Sequence, residues 1–330
     1  MKHSIISHTV KSKILFLLSI ILLISLGFVS LTVGKYPLSI DKMIAGDELQ
    51  WRVFLTLRVS RTVVGIIGGF GLGIAGFVYQ TVFRNPLASP DIIGVSSGAS
   101  AGAAVGILFF SGAIAVTISA FVGAVLAVLL SVAISSLNRN SQSSTIVLAG
   151  IAVHAIAQTV LMCLKLTADP ERELASIEYW IMGSLSGISA YSIGVNLILC
   201  VLCVVCLFFL HRQVILLSAD EGEARMLGVN VKILRMIVLV IVTLAVAAVV
   251  SLSGLISFVG LLAPHAARLI TGNNRKGTMF LSGILGGLLL CAADILARIT
   301  ASTELPISIF TSLLGAPFLI FLIFRRRRRL

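Results

Sequence analysis

Long apolar runs alternate with short polar stretches along the whole chain of 330 residues. Roughly 20 apolar residues suffice to cross the hydrocarbon core of a bilayer as a helix, so these runs predict about ten transmembrane helices. Backbone polar groups in lipid must be satisfied within each segment, which predicts an all-α fold. The predicted spans are Ile14–Val33, Thr62–Val82, Ile92–Phe110, Ala113–Ile134, Thr145–Leu166, Tyr191–Leu210, Met236–Leu252, Leu255–Leu262, Thr278–Ala297 and Ile307–Phe324.

Composition agrees with a polytopic membrane protein that forms a single transmembrane domain over residues 1–330. Hydrophobic residues make up 58% of the chain and charged residues only 12%, against about 25% charged residues in soluble domains. The net charge of +12 does not indicate nucleic-acid binding, because the basic residues flank the spans. A basic stripe with interleaved aromatic residues is absent from the sequence.

The distribution of Lys and Arg predicts the topology. Lys2, Lys11 and Lys13 precede the first span, and Arg325–Arg329 follow the last one. With both termini in the cytoplasm, most of the 25 basic residues lie on the cytoplasmic side, as the positive-inside rule requires. We therefore expect a multi-pass protein of the cytoplasmic membrane. Arg58 and Arg61 then lie on the outer side, against the rule.

Two patterns within the spans concern backbone packing. Gly65, Gly69 and Gly73 recur at every fourth position of the second span, which predicts a close approach of another helix. The segment Arg84–Gly102 contains two prolines among helix-breaking glycines. Such broken backbone at membrane depth is tolerated where it is buried in protein or lines a cavity. An ordinary turn between spans is the alternative interpretation.

Several local patterns suggest catalysis or ligand binding, but the residues around each pattern do not support such a site. Cys200, Cys203 and Cys206 form C-x-x-C-x-x-C inside an apolar helix with no fourth ligand nearby, which favours ordinary packing. Gly71–Gly76 matches G-x-G-x-x-G but lacks the preceding strand and the later acidic residue of a dinucleotide site. His265 has no suitably spaced nucleophile or carboxylate. We predict no catalytic residue, no metal site and no cofactor.

Two charged patterns remain. Asp294 and Arg298 stand one helical turn apart near the outer end of the ninth span, which predicts a local ion pair. Ser218–Asn230 contains several charges, an A-R-M-L-G core and a stop at Gly228. It is typical of a short amphipathic helix in a water-side loop that is offered to a soluble partner. A solvated loop with one chance helical turn explains the same residues equally well.

A set of motifs, in order along nearly the whole chain, resembles the permeases of the ferric-siderophore and cobalamin ABC importer family (FecCD type). They are L-R-x-x-R-T at Leu57–Thr62, N-P-L-A-x-P in Asn85–Pro90, W-x-x-G-S at Trp180–Ser184, A-R-x-L-G at Ala224–Gly228, G-x-x-x-F-V-G-L-x-x-P-H-x-x-R at Gly254–Arg268 and L-G-A-P-F at Leu314–Phe318.

The resemblance implies a type II ABC importer permease fold. It also implies a homo- or heterodimer of permeases, with cytoplasmic ATPase subunits and an extracytoplasmic substrate-binding protein as partners. A cytoplasmic coupling loop at about 211–235 would contact the ATPase through Glu221, Ala224, Arg225, Leu227 and Gly228. Outward-facing Arg58, Arg61 and Arg298 would dock acidic residues of the binding protein.

The expected function is translocation of a ferric-siderophore-type iron complex into the cytoplasm, with cobalamin or haem as alternative cargoes. No G-x-x-x-x-G-K-[ST] loop occurs in the sequence, so we expect ATP hydrolysis in a partner chain and no enzymatic activity here. A secondary transporter driven by an ion gradient is the alternative of a different class. Its spans would be expected to contain buried, paired carboxylates and bases, and Asp294 is the only acidic candidate.

Overall fold

In the computed structural model, residues 2–137, 143–186, 188, 190–219, 230–272, 274–300 and 303–327 are described. Within these ranges the regular structure is helical and no strand occurs. The helices are α1 (Lys2–Thr32), α2 (Ile40–Ile44), α3 (Glu48–Val82), α4 (Val95–Phe109), α5 (Ala113–Ser136), α6 (Ser143–Thr167), α7 (Glu173–Met182), α8 (Ala190–Phe209), α9 (His211–Leu216), α10 (Val231–Ser253), α11 (Val259–Thr271), α12 (Lys276–Ile299) and α13 (Ile307–Arg327).

Ten of these helices correspond to the ten predicted spans. Among the described residues, six helices are long and apolar enough to cross a bilayer, namely α1, α3, α5, α6, α10 and α12. Shorter apolar helices within α4, α8 and α13 correspond to three more spans, and α11 corresponds to the eighth. The prediction of an all-α polytopic membrane protein is confirmed.

The start of the second span was predicted too late. Asp47 Oδ1 accepts hydrogen bonds from the backbone N–H groups of Leu49 at 2.9 Å and Gln50 at 3.3 Å, so α3 begins at Glu48. The helix continues through π-helical stretches at 54–59 and 64–68. Helix α3 therefore includes the second half of Gly34–Ser60, which lies between the first two predicted spans. Hydropathy missed this because Arg58 and Arg61, which interrupt the apolar residues, are buried inside the protein.

Two other boundaries differ from the prediction. The eighth span was expected at Leu255–Leu262, whereas α11 starts only at Val259 and continues past Pro264 to Thr271. Pro264 cannot donate to the carbonyl of Gly260, and that carbonyl lies against Gly76, which has no side chain to obstruct it. Between the fifth and sixth predicted spans, the structure adds the short helix α7, which carries the acidic residues Glu173 and Glu178.

Glycines of α3 bring this helix against the backbone of α12, as their spacing predicted. A Cβ added to Gly69 would lie 2.5 Å from the carbonyl oxygen of Gly286 and 2.8 Å from Cα of Gly287. The corresponding position on Gly73 is occupied by the carbonyl of Ser282. The two helices are therefore in backbone contact through the core of the protein, where small residues favour helix association in lipid.

The broken segment between α3 and α4 lines a cavity, which confirms that part of the prediction. Its Pro90–Ile93 forms one 3-10 turn, and Gly94 follows with a φ of 85°. Ser89, Pro90 and Asp91 face a cavity of about 250 Å³. Ser257 and Phe258, in the break between α10 and α11, line the same cavity. Non-helical backbone from two places in the chain therefore meets inside the bundle.

The α3–α12 contact predicts a position-specific effect of alanine. Gly69→Ala forces two backbones apart and should lower the melting temperature in detergent by several degrees, whereas Gly194→Ala in α8 should leave it unchanged or raise it. No atom lies within 4 Å of the Cβ position of Gly194, and alanine is favoured over glycine by about 1 kcal/mol in a helix. Tryptophan fluorescence on heating measures both. Equal melting temperatures would contradict the proposed contact.

Candidate functional site

Arg61 bridges two carboxylates at the predicted outer end of the bundle. The residue is 5% exposed and lies on α3, opposite the end of α12. Its Nη2 donates to Oδ1 of Asp294 at 2.8 Å, and its Nε reaches the same oxygen at 3.3 Å. Its Nη1 donates to both carboxylate oxygens of Glu304, at 2.8 and 2.9 Å. One guanidinium fork is thus shared between two acidic residues.

Arg298 completes the pairing of Asp294 and joins α12 to the end of α1. Its Nη2 lies 2.7 Å from Oδ2 of Asp294. Its Nη1 donates to the carbonyl oxygens of Ser30 at 3.0 Å and Val33 at 2.9 Å. Carbonyls at the end of a helix have no partner within the helix, and a cation there also interacts favourably with the helix dipole. Arg298 therefore caps α1.

Arg58 has a different set of contacts from the other two arginines. It lies nearly one helical turn before Arg61 on α3 and is 3% exposed. Its Nη2 donates to the carbonyl of Tyr36 at 2.8 Å. Its guanidinium fills the space that a side chain at Gly34 would need, and its Nε has no hydrogen-bond partner among the described residues. Arg58 thus anchors the segment that follows α1.

The sequence predicted three outward-facing arginines, and the structure buries all three at the predicted outer end of the bundle. The predicted ion pair between Asp294 and Arg298 is present, but it is buried and shared with Arg61. Removing charges from water costs several kcal/mol per ion unless good geometry and hydrogen bonds compensate. Pairing with carboxylates accommodates Arg61 and Arg298, and Arg58 donates to the carbonyl of Tyr36. Their role in docking a binding protein stays a prediction.

Glu304 belongs to this arginine cluster, which we define as Arg58, Arg61, Asp294, Arg298 and Glu304. Glu304 lies between the ninth and tenth predicted spans, and no motif in the sequence assigned it a role. The signal that could have identified it is charge balance, because three arginines predicted on one side of the membrane require acidic partners nearby. Its side chain is 28% exposed, against 1% for Asp294. The cluster therefore has one buried and one accessible carboxylate.

Arg84 forms a contact at the opposite, predicted cytoplasmic end of the bundle. It follows α3 with a φ of 50°, a conformation that is uncommon for residues other than glycine. Its side chain donates to the carbonyl of Leu217 at 3.3 Å and to that of Ala219. These two carbonyls follow α9 and directly precede the predicted coupling residues. Arg84 thus connects the end of α3 to the start of the coupling loop.

The predicted coupling residues Glu221, Ala224, Arg225, Leu227 and Gly228 lie outside the described residues, which resume at Asn230. Their contact with an ATPase stays a prediction. Of the predicted loop at about 211–235, the described parts are α9 and the residues up to Ala219 on one side and the first turn of α10 on the other. The Asn230 side chain caps α10 by accepting from the N–H of Ile233 at 3.2 Å, so the loop has an ordered boundary on each side.

The P-H-x-x-R motif holds α11 against its neighbours. Arg268 donates to the side-chain oxygens of Gln80 on α3 and of Asn274, the latter at 2.7 Å. Its guanidinium carbon lies 5.1 Å from the ring centroid of Phe77, a cation–π distance. The ring of His265 packs edge-on against Phe318 of α13. His265 lies in the middle of α11, and its contact with Phe318 is a packing contact.

The profile of the FecCD transport family matches residues 21–325. The chain belongs to the FecCD transport family. It is therefore an ABC importer permease, and the resemblance of its motifs is confirmed.

Its relatives are permeases with different cargoes. The cobalamin import system permease BtuC of Halobacterium salinarum is 38% identical over 83% of this chain and 74% of its own length. A probable iron chelatin transport system permease of Helicobacter pylori is 37% identical over 83% of each chain. The molybdate import system permease MolB of Haemophilus influenzae is 33% identical over 96% of each chain.

A solved structure supports the type II importer architecture that the motifs predicted. It is described as an inward-facing conformation of a metal-chelate type ABC transporter. The TM-score is 0.82 at 30% identity, covering 95% of this chain and 99% of that one. The fold and family are thus shown over almost the full length.

The shared carboxylate in the cluster predicts a large loss of stability when it is removed. Asp294→Ala leaves Arg61 and Arg298 without their common buried partner, which costs about 3–5 kcal/mol, and the melting temperature in detergent should fall accordingly. The control is Glu178→Ala, which removes a carboxylate paired with Lys165 at 2.8 Å but 46% exposed. That change should cost at most about 1 kcal/mol. Similar losses in both variants would contradict the buried network.

Proposed function

We propose that this permease imports a ferric-siderophore-type iron complex into the cytoplasm as part of a binding-protein-dependent ABC importer. The observation that carries the proposal is the full-length likeness to a metal-chelate type transporter. The iron chelatin permease at 37% identity supports iron as the metal. Cobalamin is the second candidate, favoured by the cobalamin permease at 38% identity, and haem is a third chelate of the same kind.

Energy would come from partner ATPase subunits. The chain contains no G-x-x-x-x-G-K-[ST] phosphate loop, so a permease of this family needs hydrolysis supplied from outside. The proposed contact is the coupling loop with Glu221, Arg225 and Gly228. The hydrogen bonds from Arg84 to Leu217 and Ala219 support this, because they tie the start of the loop to α3. Force on the loop would thus reach the core of the permease.

At the opposite end, a substrate-binding protein would dock on the arginine cluster. Arg58, Arg61 and Arg298 carry three positive charges and face only two carboxylates within the cluster. One positive charge in excess favours an acidic partner, and Arg–carboxylate contacts suit a reversible interface. We propose in addition that two permease chains pair around the path, that the protein lies in the cytoplasmic membrane and that both termini are cytoplasmic.

Transport itself tests the proposal. The permease is reconstituted in liposomes with candidate ATPase and binding-protein subunits, and uptake of a ferric siderophore, haem and cobalamin is compared. We expect ATP-dependent uptake of the ferric siderophore, lost when the ATPase is inactivated. Uptake of cobalamin alone would overturn iron as the cargo. Uptake that follows an ion gradient without any ATPase would favour the secondary-transporter alternative.

The link through Arg84 predicts a loss of coupling. Arg84→Ala removes both hydrogen bonds to the loop, so ATP hydrolysis should continue while uptake per ATP hydrolysed falls about tenfold. Arg84→Lys, which keeps one donor group, should retain intermediate coupling. Parallel measurement of phosphate release and uptake gives the ratio. Lys276→Ala, at another exposed basic residue of the same end, is the matched control and should leave the ratio unchanged.

A further inference from the structure

The guanidinium of Arg61 is divided between two carboxylates that differ in accessibility. Asp294 holds the Nε and Nη2 side of the fork and is 1% exposed. Glu304 holds Nη1 with both oxygens, and its side chain is 28% exposed. The inner carboxylate is also paired with Arg298. Of the two, only Glu304 can leave Arg61 without moving a buried charge.

The position of Glu304 in the chain makes such a movement feasible. It lies in the short non-helical connection before α13, next to Leu305, whose N–H donates to the carbonyl of Ala297 at 3.3 Å. Thr303 on the other side is exposed. A carboxylate that is already partly in water needs little rearrangement to become solvated, so the main cost of its departure is the unpaired Nη1 of Arg61. Rotation of one side chain would free Nη1 of Arg61.

From this geometry we propose that Glu304 is an internal stand-in for a docking carboxylate. It occupies Arg61 while no binding protein is present, and an acidic side chain of the binding protein displaces it on docking. This inference rests on the proposed docking role of the arginine cluster. It adds that docking is an exchange of carboxylates on Arg61.

Arg61 needs a stand-in carboxylate because a buried guanidinium without a partner destabilises the folded protein. A buried charge that loses its partner is strongly destabilising, so an arginine reserved for a transient partner needs another carboxylate in between. Glu304 meets this need and simultaneously weakens docking, because the incoming carboxylate must compete with it. The competition keeps the interaction reversible and selects partners that present a carboxylate in the correct place.

The test is a docking measurement on Glu304→Gln. This change removes the competing charge while an amide oxygen can still accept a hydrogen bond from Arg61. Affinity for the binding protein that supports uptake in liposomes, measured by surface plasmon resonance on the detergent-solubilised permease, should rise about two- to fivefold. Unchanged or weaker docking of a folded Glu304→Gln variant would overturn the stand-in.

Removing any negative charge at this end also strengthens attraction to an acidic partner at long range. Glu48→Gln controls for this, because Glu48 is exposed at the start of α3 and has the same charge. Its effect should be smaller and should disappear at high salt. Equal gains in the two variants would mean that the effect is long-range attraction, and the exchange proposal would be wrong.

Arg61→Lys separates this inference from the proposed docking role. Lysine keeps the charge opposite Asp294 but lacks the planar fork that serves two carboxylates at once. Docking should weaken, and in the double variant the gain from Glu304→Gln should be lost, since the two effects are coupled. If Arg61→Lys and Arg58→Lys leave docking unchanged, the docking role of the cluster itself fails. If they weaken docking but Glu304→Gln does not strengthen it, only the exchange fails.

Discussion

The arrangement of the predicted outer end depends on one carboxylate, that of Asp294, held between two buried arginines. One oxygen faces Arg61 on α3 and the other faces Arg298 on α12. Arg298 in turn caps the end of α1 through Ser30 and Val33. Three helices are therefore joined by a network in which each buried charge depends on the others. Such a network contributes little net stability compared with apolar packing, but it penalises every arrangement that separates its members.

This electrostatic contact lies near one end of the α3–α12 pair. Further along the same pair, the two helices are in close contact at glycines. Between α3 and α12, Gly69 and Gly73 lie against the backbone of Gly286 and Ser282. Lipid tails are as apolar as the side chains, so moving apolar side chains from lipid into a helix contact contributes little free energy. Close backbone packing and polar contacts therefore hold the helices together. The glycines set how near the two helices come. The shared carboxylate, at the end of the same pair, favours one relative placement of them.

The glycine contact could be predicted from the sequence, whereas the buried arginine cluster could not, and the difference has physical reasons. Hydropathy and glycine spacing are local patterns, so the spans and the close contact of α3 were predictable. The depth of Arg58 and Arg61 was not, because the positive-inside rule assigns a side of the membrane and says nothing of burial. The partner Glu304 is 243 positions from Arg61 in the chain, beyond any local pattern. The coupling residues were identified by motif alone, and they lie outside the described residues.

Helix α3 connects the two proposed sites. Arg61 and Gln80 are separated by about 30 Å along a helix with a rise of 1.5 Å per residue, which equals the thickness of the hydrocarbon core. Helix α3 therefore carries Arg61 of the arginine cluster on one side of this span. On the other side it carries Gln80, bonded to Leu261 and Arg268 of α11, and is followed by Arg84. A rigid element with contacts at both surfaces is a physical route for coupling, provided that it has two placements. The exchange of carboxylates on Arg61 would bias one placement from outside, and the Arg84 contact would bias it from the cytoplasm.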